Sequence, residues 1–371
     1  MKQKHGPTAL MLLPSFPQQA RTGGEMYNRY VVEGLTGLGL PVVVISLQDL
    51  IGQEALHDRR MRKTAKRAIS SALEPYCSEG ATVIYDSWLY RFLFPLMVWK
   101  RVRGNLRLVS FSQLCYWDTY ASTPLRLLHR LKTMAALVPA HHHVGVSEAV
   151  LHADLGLFYR RKNTTVICPA SDFAGRNLIQ ARCATMPAKL VSVGNYTKRK
   201  GFHVLIGALA LVFESHPELK GQVVLHLAGN LSFDPGYVDR LRTLIEEKHL
   251  AQSVIMDDWK GRDAISALFS ESQLFVFASE SEGFGMVVLE AMLHGLPVLL
   301  GDFMTAEELL GASHAGGYIV PSRLEQGYAQ CIIDYLLDDN RSQRGELSRA
   351  RALEFSQSWA DVVEKFHQVL V

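Results

Sequence analysis

Short apolar runs recur along the whole chain of 371 residues and alternate with segments of helical periodicity. The first half contains TALMLLPSF, PVVVISL, ATVIYDS, LRLVSFSQL, HHHVGVS and TTVICPA, and the second half contains KLVSVGN, VVLHLAG, SVIMDDW, LFVFAS, PVLLG and GGYIVP. Runs that are apolar at successive positions predict strands covered on both faces, as in parallel sheets built from β-α-β units. Two such series predict an α/β protein with two Rossmann-like, doubly wound domains.

The periodicity lapses between Ser171 and Lys189, so we place a first domain at 1–185 and a second at 186–355. The apolar run at the N-terminus is short and is broken by Pro14 and Pro17, which favours a buried strand over a signal peptide. No stretch approaches the roughly 20 apolar residues of a membrane span. Five cysteines without CxxC spacing fit a reducing compartment, and we expect a cytoplasmic protein.

The net charge of +3 conceals an asymmetry between the two halves. Residues 1–187 hold 23 Lys and Arg against 12 Asp and Glu, whereas the remaining residues hold 16 against 24. A basic first half and an acidic second half are expected to face different partners. Nucleic acid is not among the expected partners, because no recognition motif accompanies the basic charge.

The stretch SESEGFGMVVLEAM, residues 279–292, follows the predicted strand LFVFAS and places glycines at a turn before a helix. Unpaired backbone N–H groups at such a turn form an anion site suited to a phosphate. Glu290 lies inside the helix, where it can reach a ribose, and Glu282 lies ahead of the turn, where it can contact a sugar. The alternative is a strand, turn and helix with solvated glutamates, and Glu280 is interpreted as a solvated flank.

Two further turns follow predicted strands. In SVGNYTKRKGF, Lys198, Arg199 and Lys200 stand between two glycines, and such cations suit a diphosphate leaving group. A basic surface loop explains the same residues. In FPQQARTGGEMYN, Gly23 and Gly24 allow close approach of a ligand to the backbone, but the pattern is not the GxGxxG dinucleotide fingerprint.

Together these turns resemble the Glu-x7-Glu signature of retaining, nucleotide-sugar-dependent glycosyltransferases of family 4. The resemblance continues through HGLPVLLG, VGVSEAV, HLAGN, GGYIVP and the terminal FSQSWADVVEKFHQVL. It implies the GT-B fold, in which two Rossmann-like domains face each other across a cleft. It also implies that the terminal helix, 356–371, joins the N-terminal domain.

The resemblance assigns roles to residues of this chain by their position in the motifs. It implies that Glu282 and Lys200 are catalytic and that no metal and no cofactor other than the nucleotide-sugar is needed. The donor-binding residues that it implies are Gly23, Gly24, Gly194, Asn195, Arg199, Gly283, Phe284, Gly285, Met286, Val287 and Glu290.

Two positions depart from the family pattern. Asn195 stands where the family generally has arginine, so either Lys198 or Arg199 supplies the charge or diphosphate binding is weaker. After the fourth strand of the first domain, where many members have a histidine, this chain has Gln113 with Asp118 nearby. We place the acceptor at Asp86, Gln113, Asp118 and Ser147.

A basic amphipathic pattern spans EALHDRRMRKTAKRAISSAL, with an alanine-rich apolar stripe. The basic side is predicted to lie on an anionic membrane surface, and the alternative is a core-facing helix with a solvated basic face. The residues of the basic side are Arg59, Arg60, Arg62, Lys63, Lys66 and Arg67.

The sequence therefore predicts a retaining, metal-independent hexosyltransferase that uses a UDP- or GDP-sugar. Its acceptor hydroxyl is expected on a sugar or on a lipid-linked molecule, with the enzyme peripheral on the inner face of the membrane. The alternatives are a nucleotide-sugar-binding protein with altered catalysis and a sugar-nucleotide epimerase or phosphorylase on the same fold.

Overall fold

The computed structural model describes most of the chain. Its described residues are 9–18, 20, 22–56, 58–77, 80–93, 96–98, 105–115, 123–161, 163–176, 178, 187–258, 261–314 and 316–371. They form two compact units, one of Met1–Ala170 with Gln357–Val371 and one of Ser171–Ser356. The first boundary thus falls after Ala170, fifteen residues before the predicted end of the first domain at 185.

The first unit is built on a parallel sheet of six strands in the order β2-β1-β3-β4-β5-β6. All six strands were predicted from the apolar runs, and the structure confirms them. Their bounds are β1 Ala9–Leu13, β2 Val42–Ser46, β3 Thr82–Asp86, β4 Arg107–Ser112, β5 His142–Gly145 and β6 Thr164–Val166.

Helices connect these strands and cover both faces of the sheet. The helices of this unit in the described ranges are α1 Gly23–Gly37, α2 Leu47–Ile51, α3 Arg62–Leu73, α4 Tyr90–Leu93, α5 Thr123–Leu137 and α6 Glu148–Leu155, with α14 Trp359–Leu370 near the C-terminus. Helices α3 to α6 contribute to one apolar core cluster against the sheet, as right-handed crossovers in one direction require.

The terminal helix α14 packs against α1 within the first unit. Gly34 of α1 permits the close approach, since a Cβ there would lie 2.2 Å from Cγ2 of Val363. Tyr30 stacks on Trp359 with ring centroids 4.2 Å apart, and Tyr27 and Phe111 also stack. The Ser-Trp segment thus begins a helix whose apolar side covers α1.

The second unit repeats the architecture with a six-stranded parallel sheet in the order β12-β11-β10-β7-β8-β9. Its strands also match the predicted runs. They are β7 Ala188–Val193, β8 Val223–Gly229, β9 Val254–Asp258, β10 Leu274–Phe277, β11 Val298–Gly301 and β12 Gly317–Val320.

The helices of the second unit follow the strands in turn. They are α7 Phe202–Ser215, α8 Pro235–Glu247, α9 Arg262–Glu271, α10 Met286–Leu293, α11 Ala306–Leu310, α12 Glu325–Leu337 and α13 Arg341–Phe355, and a 3-10 turn spans Lys198–Lys200. In the described parts of the chain, no helix combines the length and apolar character that crossing a membrane requires.

Candidate functional site

Two turns of the second unit meet at the carboxyl edge of its sheet. The strands β7 and β10 are parallel neighbours, so the turns after them, 194–201 and 278–285, leave the sheet at the same edge. Gly201 has φ +70° and a Cβ there would lie 2.1 Å from the carbonyl oxygen of Ala278. The backbone N–H of Glu280 donates to the carbonyl of Arg199 at 2.9 Å. Glycine at 201 is therefore required for the close contact of the two turns.

Glu282 of the second turn pairs with two cations of the first turn. Lys200 Nζ lies 2.6 Å from Glu282 Oε1, and an Arg199 guanidinium nitrogen lies 3.0 Å from the same oxygen. Ser279 Oγ donates to Oε1 at 2.5 Å, and Arg199 also donates to the carbonyl of Ser281. Lys200 Nζ lies 4.8 Å above the ring of Phe277. Two cations against one carboxylate leave a net positive charge at the edge of the sheet.

In this cluster, burial and neighbouring charges have opposite effects on the pKa values of Glu282 and Lys200. Burial alone would raise the pKa of Glu282, but Lys200, Arg199 and the hydrogen bonds hold it at about 2. Burial lowers the pKa of Lys200, Glu282 counteracts that effect, and Arg199 adds to it. Glu282 is therefore ionised at neutral pH, and its carboxylate favours the charged form of the lysine.

The turn at 283–285 leads directly into α10. Gly285 is the residue before the helix and has φ +90°, which favours glycine. The side chain of Phe284 is buried and packs edge-on against Phe355, so only its backbone can face a ligand. Met286 and Val287 form the first turn of α10, where backbone N–H groups lack helical partners. This helix start is the predicted phosphate-facing element.

Glu290 lies on α10 in a second ion-pair cluster. Arg262, the first residue of α9, donates to both Glu290 oxygens, at 2.5 and 3.2 Å. The Nε atom of Arg262 lies 3.0 Å from an oxygen of Asp172, and its guanidinium carbon lies 4.7 Å from the centre of the Phe173 ring. Burial raises the pKa of Glu290, Arg262 lowers it and Asp172 raises it.

The structure separates the cations of the KRK segment. Arg199 joins Lys200 on Glu282, whereas Lys198 is exposed and lines a groove of about 610 Å³ with His203 and Tyr237. Gly194 lies against the Lys200 side chain, with a built Cβ 3.4 Å from its Cδ. Of the two cations offered as substitutes for an arginine at Asn195, Arg199 is the one in the cluster.

In the first unit, Gln113 links the glycine turn to a buried carboxyl. Gly23 and Gly24 begin α1, and a Cβ at Gly24 would lie 2.9 Å from Gln113 Oε1. Gln113 Nε2 donates to Asp86 Oδ2 and to Asn28 Oδ1, each at 2.9 Å. The two acceptors fix the amide with its oxygen toward the glycines.

Asp86 lies beneath this amide and is 3% exposed. Burial raises the pKa of Asp86 to about 7, the N–H of Trp88 and the Gln113 amide oppose that rise, and Asp154 adds to it. Asp86 accepts a hydrogen bond that orients the Gln113 amide beside the glycine turn. Among the described residues, no group of three or more His, Cys, Asp and Glu is arranged to hold a metal ion.

A family model described as "Glycosyl transferases group 1" matches residues 182–351, which nearly coincide with the second unit. This segment is therefore similar in sequence to the group 1 glycosyltransferases. The putative colanic acid biosynthesis glycosyltransferase WcaL of Salmonella typhimurium is 29% identical over 181 residues, which are 46% of this chain and 42% of that protein. The chain thus spans less than half the length of the curated relatives that it matches first.

Solved structures match the whole chain rather than the second unit alone. A sucrose-phosphate synthase from Thermosynechococcus elongatus superimposes with a TM-score of 0.74 and 18% identity, covering 98% of each chain. The Anabaena protein HepE, solved with UDP and glucose, gives 0.69 and 18%, covering 98% of this chain and 99% of that one. Both units therefore have the Rossmann-like architecture of the GT-B fold.

Sequence reasoning missed several residues that hold the two ion-pair clusters of the second unit together. Arg262 pairs with Glu290 and also with Asp172. Ser279 donates to Glu282, and the Lys200 ammonium lies over the ring of Phe277. Arg262 could have been found, since it opens the helix after β9 at the same sheet edge as the other turns. The others carry no sequence signal beyond their position at a strand end.

The remaining predicted acceptor residues divide into two cases. Ser147 is buried, and its hydroxyl accepts from the N–H of Val150 at 3.1 Å, so it is a helix cap for α6. Asp118 lies outside the described residues. Glu280, interpreted as a solvated flank, pairs with the exposed Arg323 at 2.7 Å.

The predicted membrane helix has its apolar stripe turned inward. Ala65, Ile69 and Leu73 of α3 are buried in the core of the first unit. Its outer side carries Lys63 and Arg67, which are exposed. Of the remaining predicted membrane residues, Arg60 is exposed in the 3-10 turn before α3, which also includes Arg59, and Arg62 and Lys66 are half-buried. Helix α3 therefore presents exposed basic residues to solvent, whereas its apolar side is buried.

Proposed function

We propose that this protein is a retaining glycosyltransferase that moves a hexose from a UDP-sugar to a hydroxyl acceptor. The observation that carries the proposal is the cluster of Lys200, Arg199 and Glu282 at the sheet edge, beside the start of α10. It lies in the segment that matches the group 1 family. The complexes of HepE with UDP and of the pneumococcal transferase GtfA with UDP and GlcNAc, both of this fold, favour UDP over GDP.

The cluster supplies what the departing diphosphate needs. As the glycosidic bond breaks, negative charge grows on the diphosphate, and fixed cations stabilise that charge more than they stabilise the ground state. Lys200 and Arg199 supply this charge, and the N–H groups at the start of α10 supply further donors. On this proposal the protein's own cations replace a metal ion.

Glu282 serves the sugar as well as the cations. Its carboxylate is ionised at neutral pH because its pKa is held at about 2 against the effect of burial. In the proposed mechanism it positions Lys200 and Arg199 in the free protein and faces the positive charge that develops at the sugar ring. The acceptor hydroxyl bonds to the anomeric carbon on the face that the diphosphate leaves, and the diphosphate takes the hydroxyl proton.

Glu290 binds the ribose in this proposal. A carboxylate offers about four acceptor sites, and Arg262 occupies one on each oxygen. The remaining sites can accept from ribose hydroxyls, and Arg262 lowers the pKa of this carboxyl against the effect of burial. A nucleotide that carries ribose is thereby distinguished from one that carries deoxyribose.

The test is a screen of radiolabelled UDP- and GDP-sugars against lipid and soluble cell extracts. We expect transfer from one UDP-hexose, unchanged by a metal chelator, into a product whose anomeric configuration by NMR equals that of the donor. An inverted product contradicts retention. Nucleotide binding by calorimetry without transfer to any extract contradicts the enzyme proposal and favours a binding protein with altered catalysis.

A further inference from the structure

Helix α5 exposes leucines to solvent and buries polar side chains. The residues that it buries are His129, Thr133, Ala136 and Leu137. The residues on its outer side include Leu125, Leu127, Leu128 and Leu131, which are 45%, 58%, 45% and 53% exposed. We call these four residues the leucine face. A surface helix normally shows the reverse pattern, with apolar residues inward.

The inward side of α5 is nevertheless well satisfied, so the helix is not simply rotated. The Nδ1 atom of His129 lies 2.6 Å from the hydroxyl of the buried Tyr90, and Thr133 Oγ1 donates to the carbonyl of His129 at 3.0 Å. Ala136 and Leu137 belong to the apolar core of the unit. Rotating α5 to bury the leucines would break these contacts. The contacts therefore hold the leucine face toward solvent.

More apolar surface adjoins the leucine face. Leu157 is 91% exposed and Phe158 is 37% exposed, in the 3-10 turn after α6. Gly156, which begins that turn, lies against α5, since a Cβ there would lie 3.3 Å from the sulfur of Met134. Contiguous exposed apolar side chains of this kind mark an interaction surface.

The charged residues of helices α3 and α5 are all cations. Helix α5 contains Arg126, Arg130 and Lys132, and helix α3 contains Arg62, Lys63, Lys66 and Arg67, and neither helix contains Asp or Glu. Helices α3, α4, α5 and α6 cover the same face of the sheet, so α3 and α5 turn their outer sides the same way. Leucines on a helix whose charged residues are all cations complement a surface that is apolar beneath and anionic outside.

We propose that the leucine face of α5 inserts into the interface of an anionic lipid bilayer while the cations of α3 and α5 contact its head groups. This moves the predicted membrane contact from α3 alone, whose apolar stripe is buried, to α5. Apolar area and head-group attraction act together in such binding. The proposal stands independently of the transfer chemistry, because no residue of the second unit takes part in it.

The experiment is flotation of the full chain with vesicles, without nucleotide. The vesicles are phosphatidylcholine mixed with phosphatidylglycerol, compared with phosphatidylcholine alone. We expect binding to the mixed vesicles only, weakened by salt. Changing the leucine face to glutamine (L125Q, L127Q, L128Q, L131Q) should lower the partition coefficient by about tenfold or more. Because the four side chains are exposed, thermal unfolding should be unchanged.

The matched control changes two exposed leucines of the second unit, Leu337→Gln and Leu353→Gln, which are 70% and 50% exposed. This control should bind vesicles like the unchanged chain. A second variant, K63E with R67E and K132E, tests the charge and should lose binding by at least about tenfold. Equal binding by the leucine variant, or equal loss in the control, overturns the proposal.

A second copy of the chain is the other occupant that the apolar surface could take. Sedimentation equilibrium that shows a dimer, dissolved by the leucine variant, together with no vesicle binding, overturns the lipid proposal. Glu282→Gln separates this inference from the proposed function. That variant should float with vesicles like the unchanged chain while losing transfer, so either proposal can fail without the other.

Discussion

Lys200 and Glu282 lie 82 positions apart in the sequence and form a part-buried ion pair with 2.6 Å between Nζ and Oε1. The pair joins the turn after β7 to the turn before α10. Because Arg199 shares the same carboxylate oxygen, the site keeps one cation in excess before any ligand binds. A diphosphate would therefore meet charge that the protein has already positioned.

Neutralising either member of this pair should abolish most of the turnover. We expect Lys200→Met and Glu282→Gln each to lower kcat by about 10²- to 10³-fold, as for removal of one donor to a developing anion. Methionine keeps an unbranched apolar side chain and removes the ammonium that lies over Phe277. Steady-state kinetics with varied donor give kcat and KM separately.

The control for this prediction is Glu280→Gln, two residues from Glu282. Glu280 pairs with Arg323, which is 72% exposed, and the pair lies outside the Lys200 cluster. Its removal should leave kcat within a factor of about two, as for an exposed ion pair. If Lys200→Met turned over donor like Glu280→Gln, the cluster would have no part in the chemistry.

Gly201→Ala should separate the two turns. The substitution combines a strained φ of +70° with a Cβ 2.1 Å from a backbone carbonyl, which cannot move aside like a flexible side chain. We expect a loss of both stability and kcat. The matched control is Gly221→Ala, where φ is +81° but nothing lies within 4 Å of the new Cβ.

The control isolates backbone strain, which costs about 1–2 kcal/mol for an alanine in the left-handed region. Gly201→Ala should lose more folding free energy than the control, because it also displaces the 278–285 turn. Only Gly201→Ala should lose turnover. Urea unfolding and donor kinetics of the two variants provide the comparison. Equal stability losses, with turnover intact in both, would mean that the two turns tolerate separation.

Arg262→Ala should leave Glu290 and Asp172 facing each other without a cation. Breaking a buried ion pair from one side costs about 3–5 kcal/mol, so a large loss of folding stability is expected. Burial already raises the pKa of Glu290, and removing Arg262 takes away the main group that lowers it. A protonated Glu290 needs no partner, so the deficit should shrink at acid pH.

Arg323→Ala serves as the control for Arg262→Ala. Its guanidinium pairs with Glu280 at the surface, where an ion pair is worth about 1 kcal/mol or less. Unfolding free energies of both variants at neutral and acid pH make the comparison. A loss for Arg262→Ala no larger than that for Arg323→Ala would remove the structural basis for its role in holding Glu290.

The fold could be predicted from sequence because the signal is local and repeated. Each apolar run by itself indicates a buried strand, and a helix between two runs indicates that the strands are parallel. All twelve strands of the described residues were predicted in this way. The turns that carry Glu282, Lys200 and Glu290 could be predicted because glycines mark them. The packing of α14 on α1 depends on the close contact of Gly34 with Val363. This packing was predicted only from the family resemblance.

What the sequence could not supply were contacts between distant segments and the direction in which side chains face. Arg262 and Glu290 are 28 positions apart, and no spacing rule links them. The amphipathic pattern of α3 was visible, but burial of Ile69 rather than exposure depended on the sheet beneath it. Helix α5 is rich in leucine, so its sequence does not indicate that His129 faces inward. The buried position of His129 depends on its contact with Tyr90, which lies 39 positions away.

Asp86 should make stability depend on pH between about 4 and 7. Burial raises its pKa from 3.8 to about 7, so the folded state binds a proton that the unfolded state releases in this range. Folding stability from this carboxyl is therefore full below pH 3.8 and is lost as pH rises toward 7. The shift corresponds to about 4 kcal/mol between the two limits.

Asp86→Asn removes the titration, because an amide stays neutral in the buried site. Its unfolding free energy relative to the unchanged chain should rise steadily from pH 4 to pH 7 and then level off. A flat difference for Asp86→Asn would mean that Asp86 is ionised throughout. The Gln113 amide would then be oriented by a permanent charge rather than by a carboxyl that titrates near neutral pH.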